Sequence, residues 1–275
     1  MLNEFIDCHN HLAEIFHKDP DQAQILIKEA SEQQITYFMQ GGIGPENWGY
    51  QLELQRRYPT KIGLCFGLHP YWIAEHSDEL CEQAMDKLNQ TLTQQSKSET
   101  LLALGELGLD FRTSIVKNNH AHQLKFFEMQ LEMSRWFQLP LVFHFVQCFE
   151  ECKKFFDFCV DFQIQGLVHS FNGPPEHLAY WIKKDLLLSV GGPVCHPRNK
   201  KLHESVKKIP LELLVLETDS PDQAPPNFPK GENRPISLWD VAKTIGIIRN
   251  LDAEKILDIS NKNFQRVFGE IPHGS

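Results

Sequence analysis

Short runs rich in apolar residues alternate with longer stretches of helical spacing along the whole chain. The runs Glu4–Cys8, Thr36–Gln40, Lys61–Phe66, Leu101–Leu104, Leu141–His144, Gly166–His169, Leu186–Val190 and Leu213–Leu216 have strand length. Between them, Asp21–Gln33, Asn47–Arg57, Ser77–Gln95, Asn118–Gln138, Glu150–Asp161, Pro175–Lys184 and Asn199–Lys208 repeat apolar residues at three- and four-residue intervals, the period of a helix with one buried face. Two further helices, Ser237–Arg249 and Asp252–Phe268, follow the last run. Strand–helix alternation implies a parallel sheet, because a parallel partner is reached only by a long crossover. Eight such units predict an α/β fold of the (β/α)8 TIM-barrel type. A doubly wound open sheet shares the alternation; the count, and the polar residues gathered at the strand ends, favour the barrel.

Length agrees with that reading, since 275 residues is close to what a barrel commonly uses. With 41% hydrophobic and 23% charged residues the composition is that of a folded globular chain. We find no repeat, low-complexity tract or linker, so a single domain over residues 1–275 is expected. The loop densest in proline, asparagine and charge, Pro221–Pro235, follows the eighth strand, where barrels place substrate-facing loops. No apolar run has the roughly 20 residues of a membrane span. Met1–Asp7 has neither the basic nor the long apolar region of a signal peptide. Cys8, Cys65, Cys81, Cys148, Cys152, Cys159 and Cys195 form no C-x-x-C pair, and an odd number of scattered cysteines reads as reduced core thiols in a cytoplasmic protein. A net charge of −9 argues against a protein that coats duplexes through a basic face, yet leaves local capture of phosphate by metal ions open.

The residue types of a hydrolytic metal site recur at the C-terminal ends of the strands, the edge where barrels build their sites. The first strand runs into His9-Asn10-His11, and side chains two apart on extended backbone point the same way. With 13 histidines in the chain, roughly 0.6 such pairs arise by chance, so context decides. A second pair, His120 and His122, lies in a helical pattern, where residues two apart diverge, and reads as surface. Glu106 follows the fourth strand between Gly105 and Gly108, which let the backbone turn and aim the carboxylate at the mouth. One carboxylate can bridge two cations. His144 and His169 end the fifth and sixth strands, and Asp219 follows the eighth, as partner to a metal and proton acceptor from water. Glu106, Asp219 and a hydroxide bridging two divalent cations leave a residual positive charge that would draw an anionic scissile group. Four imidazoles favour Zn²⁺ or Mn²⁺, while Mg²⁺ prefers oxygen.

The stretches Ile6-Asp7-Cys8-His9-Asn10-His11, Gly67-Leu68-His69-Pro70, Gly105-Glu106-Leu107-Gly108-Leu109-Asp110, Val168-His169-Ser170-Phe171-Asn172-Gly173 and Leu216-Glu217-Thr218-Asp219-Ser220-Pro221 resemble, in order, the TatD family of metal-dependent deoxyribonucleases among the amidohydrolase-like barrel hydrolases. The resemblance implies two divalent cations (Zn, Mn or Mg) and hydrolysis of DNA phosphodiester bonds by a monomer or weak oligomer, with no membrane and no obligate protein partner. It implies that His9, His11 and Asp219 hold one metal and His144 and His169 the other, that Glu106 bridges, and that His69 and Asp110 line the substrate site. Two positions depart from the family pattern: Val146 stands where an arginine is usual, and Glu232-Asn233-Arg234-Pro235 replaces an Arg-Asn-Glu-Pro-like loop. Arg112, Arg198, Lys200 and Arg234 are the candidate substitutes for phosphate contact.

The leading expectation is therefore a deoxyribonuclease acting on single strands or ends. A barrel hydrolase of a small ester, amide or acyl substrate would keep the same ligands, since fold does not dictate substrate. A non-catalytic binding barrel is the third reading; decay of ligands would be its trace, and all six are present.

Overall fold

The computed structural model describes residues 4–112, 119–158 and 163–272. Eight strands, β1 (Phe5–Asn10), β2 (Ile35–Gln40), β3 (Ile62–Phe66), β4 (Leu101–Asp110), β5 (Leu141–Val146), β6 (Gly166–Val168), β7 (Leu187–Val190) and β8 (Leu214–Leu216), pair in parallel in chain order. Around them lie α1 (Leu12–Lys18), α2 (Pro20–Glu32), α3 (Pro45–Arg57), α4 (Pro70–Glu75), α5 (Asp78–Gln95), α6 (His120–Phe137), α7 (Phe149–Phe158), α8 (Pro175–Lys183), α9 (Lys200–Lys208), α10 (Leu238–Arg249) and α11 (Ala253–Phe268). This is the expected TIM-type barrel. Asn118 and residues 159–161, at the limits of two expected helices, fall outside the described residues, as does Cys159. Among the described residues no helix is long and apolar enough to cross a membrane.

The strands are buried on both faces, so their alternation divides two apolar cores rather than core from solvent. Leu104, Leu141, Phe143, Leu188, Leu214 and Leu216 belong to the layer under the helices. Val142, Leu167, Leu187 and Val215 fill the barrel interior with Phe264 and Phe268 of α11. Because alternate residues share a face, the inward file of β5 continues from Val142 to His144, that of β6 from Leu167 to His169, and that of β8 from Val215 to Glu217. The interior thus changes from apolar to ionisable near the C-terminal ends, which fixes where the chemistry sits.

Past the last paired residues, the two ends of the sheet are joined by other bonds. Asp219 N–H donates to the His9 carbonyl at 3.0 Å and His11 N–H to the Ser220 carbonyl at 2.8 Å. The Asp7 carboxylate accepts from Thr218 N–H at 2.8 Å and from its hydroxyl at 2.6 Å. Across the same seam, α11 contributes Ser260 Oγ, which accepts from Leu216 N–H, and Asn261 Oδ1, which accepts from Ile6 N–H.

Three local readings are corrected. Strand β4 continues to Asp110, so Glu106 stands within it rather than on a turn after it. Gly108 serves close packing there: with φ of +147°, its added Cβ would lie 2.1 Å from the His144 carbonyl of β5. The short helices α1 and α4 carried too few turns for a periodic signal. His122 is half-buried, with Nδ1 2.7 Å from Asp78 and Nε2 3.0 Å from the Ile73 carbonyl, whereas His120 is exposed and stacks on Phe111. Of the cysteines, Cys8, Cys65, Cys81, Cys148 and Cys152 are buried and Cys195 half-buried, all as free thiols.

Candidate metal centre

Glu106 stands at the middle of the polar cluster and is 1% exposed. Its Oε1 lies 3.4 Å from His9 Nε2 and 3.6 Å from His11 Nε2. Its other oxygen, Oε2, lies 3.5 Å from His144 Nδ1, 3.4 Å from His169 Nε2 and 3.8 Å from His69 Nε2. Asp219 closes the first side, with Oδ1 3.6 Å from His9 Nε2 and 3.3 Å from His11 Nε2. The six side chains named from the sequence as ligands therefore converge, with His69 beside them. Among the described residues, three overlapping groups have ligand atoms near enough to share an ion: His9, His11 and Glu106; His9, His169 and Asp219; and His69, Glu106 and His144.

A metal suits this space. His9 Nε2, Glu106 Oε1 and Asp219 Oδ1 are buried without a hydrogen-bond partner, although burying such groups unpaired is costly. The same atoms are imidazole nitrogens and carboxylate oxygens, the donors divalent cations take. Gly41 forms part of the floor. A Cβ there would come within 2.5 Å of His11 Cε1 and 2.6 Å of Glu106 Oε1 and His9 Cε1, so a larger residue would occupy the cluster itself.

His144, His169 and the neighbouring His69 each face a second group with their other nitrogen. His144 Nε2 faces Asp110 Oδ2 at 3.2 Å, which turns Nδ1 toward Glu106. His169 Nδ1 lies 3.1 Å from Glu217 Oε1, leaving Nε2 toward Glu106, and the same Glu217 oxygen accepts from Ser170 N–H at 2.8 Å. Such carboxylate–imidazole pairs fix tautomer and ring angle around metals. His69 caps α4: Tyr71 N–H donates to its Nδ1 at 3.0 Å, so the neutral ring carries its proton on Nε2, aimed into the cluster. Asp219 is steadied by Gln223, whose amide donates to Oδ2 and whose carbonyl accepts from Ser170 Oγ at 2.8 Å. Gln147, Ser170, Asp219 and Gln223 all line the cavity with left-handed φ between +50° and +56°. Non-glycine residues rarely hold that conformation, and it concentrates at functional sites.

In the metal-free protein the charges are strongly coupled. Burial favours neutral Glu106, but the facing His9 and His169 charges and the hydrogen bonds of His144 hold it well below the usual carboxylate range. Asp219 is likewise brought down to about 2: burial opposes ionisation, and His169 and His11 outweigh it. Burial alone would depress His11 and His169, yet Asp219 and Glu106 raise His11 to about 9, and Glu217, Asp219 and Glu106 raise His169 to about 10. His69 goes the other way, to about 3, through burial and repulsion from His144.

The cluster opens into a cavity of about 1170 Å³ whose wall includes His11, His69, Glu106, His144, His169 and Asp219. Of the expected substrate contacts, His69 and Arg112 line it. Asp110 is fully buried behind His144 and grips Arg112, so it faces the imidazole and the guanidinium rather than the cavity. Arg234 is not in the cavity wall; its guanidinium lies 3.4 Å from Glu29 on α2. Arg198 and Lys200 are exposed outside the wall as well. The orienting residues Glu217, Ser170 and Gln223, and the floor residue Gly41, were not singled out from the sequence. Glu217 and Ser170 stood inside quoted motifs, so a carboxylate one pleat below Asp219 was the available signal.

Comparison with known proteins agrees with this geometry. The chain is 26% identical over 269 residues to an uncharacterized metal-dependent hydrolase of Haemophilus influenzae, spanning 96% of this chain and 99% of that protein. It is 26% identical over 261 residues to the 3'-5' ssDNA/RNA exonuclease TatD of Erwinia tasmaniensis, spanning 92% and 95% of the two. The crystal structure of YjjV, a TatD homolog from Escherichia coli, superposes with a TM-score of 0.83 at 24% identity, covering 98% of this chain and 100% of that one. The sequence profile described as TatD related DNase matches residues 6–269, and the chain accordingly belongs to this family of metal-dependent hydrolases.

Proposed function

We propose that this protein is a deoxyribonuclease that hydrolyses phosphodiester bonds at the ends of single strands, using a pair of divalent cations. The observation that carries the reading is the division of Glu106: one oxygen faces His9 and His11, the other His144 and His169. On this reading His9, His11 and Asp219 hold one cation, His144 and His169 the other, and Glu106 both. Bound there, the cations would polarise a phosphoryl oxygen and acidify water.

The rest falls to the chain itself. Asp219, ionised at neutral pH and held by Gln223 through Oδ2, is the acceptor for the proton that the attacking water gives up. His69 carries its proton on Nε2, 3.2 Å from His144 Nδ1, and would be free to donate it to a substrate oxygen where that nitrogen holds a cation. Asp110 and Glu217 hold the two rings whose other nitrogens face Glu106. The name of the Erwinia tasmaniensis relative supports a single-stranded nucleic-acid substrate. Purified protein loaded with Mn²⁺, Mg²⁺ or Zn²⁺ should degrade labelled single-stranded DNA, and Glu106→Ala should abolish degradation. Activity surviving in that variant would remove this mechanism.

A second reading has its own observation. Phe145, Val146 and Phe149 give the cavity an apolar wall directly beyond His144, which suits a small ester, amide or acyl substrate. Turnover of a neutral ester with none of a phosphodiester would decide for it.

A further inference from the structure

The cavity wall next to His144 is aromatic. On β5 the residue that shares His144's face is Val146, and Phe149 follows it in the cavity lining, while Phe145 on the other face stacks on Phe143 and Trp181. The Phe149 ring stacks on His177 of α8 with centroids 3.6 Å apart and planes 5° from parallel. Trp181 stands behind both, edge-on to Phe149 at 5.8 Å and stacked on Phe145 at 5.5 Å, and is 3% exposed. The backing ring is therefore buried, while Phe145, Val146, Phe149 and His177 remain partly exposed within the cavity. Apolar surface left open beside a polar cluster gains by being covered, and aromatic faces select planar rings in stacked or edge-on geometry.

Charge narrows the occupant further. Among the described residues, the lysine and arginine side chains lining the cavity are Lys18 and Arg112, and the Arg112 guanidinium is already gripped by Asp110. Glu14, Glu150, Glu151 and Asp222 line the same wall. A strand laid through the cavity would gain little from these two cations, and further phosphates close to this wall would meet carboxylates instead. One phosphoryl group at the imidazole–carboxylate cluster, with one flat uncharged group beside it, satisfies both halves of the wall.

We infer that Phe149 and His177, extended by Val146, form a stacking subsite for the nucleobase adjoining the scissile phosphodiester. The inference rests on the phosphodiesterase reading above and deepens it. Stacking on an aromatic side chain tolerates any base, because every base has a π face. The subsite thus selects for the presence of a base and not for its identity.

The test uses the metal-loaded full-length protein and two substrates, thymidylyl-thymidine and the same dinucleotide with one thymine replaced by hydrogen. The wild type should prefer the base-bearing dinucleotide by about tenfold or more in kcat/KM, the scale of one lost stacking contact. Phe149→Ala should shrink that preference at least fivefold through KM for the base-bearing substrate, Phe149→Trp should restore it, and His177→Ala should act in the same direction as Phe149→Ala. Equal losses on both substrates, or an unchanged preference in Phe149→Ala, would overturn the subsite, the former by reducing Phe149 to a packing residue. If the wild type cleaves neither dinucleotide, the phosphodiesterase reading is what fails. Calorimetric titration with thymidine monophosphate then decides the subsite: binding weakened in Phe149→Ala supports it, and no binding to the wild type ends it.

Discussion

His169 is held between two carboxylates, with Nδ1 3.1 Å from Glu217 Oε1 and Nε2 3.4 Å from Glu106 Oε2. The ring's outer nitrogen is occupied by a group that is 0% exposed and also accepts from the Ser170 backbone. Its inner nitrogen is thereby aimed at the point where His144 also faces Glu106.

Replacing that outer carboxylate should loosen the metal before it harms the fold. Glu217→Gln keeps the volume and a hydrogen-bond acceptor but removes the charge, and Glu217→Ala removes both. Partners of this type are commonly worth about 10–100-fold in metal affinity. Competition with a chromophoric chelator should show a loss in that range for one of two bound equivalents in Glu217→Gln, and a larger one in Glu217→Ala. Unaltered affinity in both variants would show that His169 is oriented by packing alone.

Loading of the metal-free protein should release protons. Relative to the ordinary 6.5, His11 is raised to about 9 and His169 to about 10, so both rings are charged at pH 7.5 and must lose their protons to bind metal. Calorimetry in buffers of different ionisation enthalpy should count at least about two protons per protein, since Asp110 and Glu106 raise His144 too against the effect of burial, and affinity should drop about 100-fold or more for each unit of acidification in that range. Activity at limiting metal should accordingly fall with each unit of acidification from pH 7.5 downward. A proton count near zero would contradict the protonated cluster.

Stability of the metal-free form should move the opposite way. A raised imidazole pKa favours the folded state fully below 6.5, and that contribution disappears as pH climbs through about 9 to 10. Asp219, depressed from 3.8 to about 2, contributes above 3.8 and ceases to do so as pH falls through about 2. Thermal unfolding after chelation should therefore show a midpoint that declines from pH 6 to pH 10, with a shallower decline after metal is restored. A midpoint rising over that interval would refute the assignment of charge.

Gly41→Ala should be a selective lesion. Its Cβ would meet His9, His11 and Glu106 within 2.6 Å, so three side chains must move together while the barrel core stays intact. We expect metal content below one equivalent and activity down about 100-fold, with circular dichroism unchanged. Arg234→Ala makes the contrast: with its guanidinium toward Glu29 and outside the cavity wall, KM should stay within about twofold, since an exposed pair of this kind contributes about 1 kcal/mol or less.

The strands were legible because residues facing the interior and residues facing the helices are both apolar, which leaves runs such as Leu141–His144 unmistakable. The six clustered side chains were legible because they interrupt those runs at equivalent places. What escaped notice depends on contacts that no local pattern encodes. Glu217 reaches Ser170 across 47 positions, and Thr218 reaches Asp7 across 211. Gly41 matters only for the space it leaves, and an ordinary glycine after a strand carries no mark of that. Arg234 looked like a phosphate contact because charge was visible in the sequence while its neighbour Glu29, on another helix, was not.

The seam between the first and last strands sets a timetable for the newborn chain. His9 leaves the ribosome early, yet its partner Asp219 is synthesised only 210 positions later, roughly 10–40 s at ordinary translation speeds. For the first 97 of those positions the His-x-His pair lacks Glu106 as well, and Asp219 is missing throughout. On the assignment proposed above, the cation shared by His9, His11 and Asp219 must therefore wait for the seam to shut, which would make full occupancy a report that biosynthesis has passed the eighth strand.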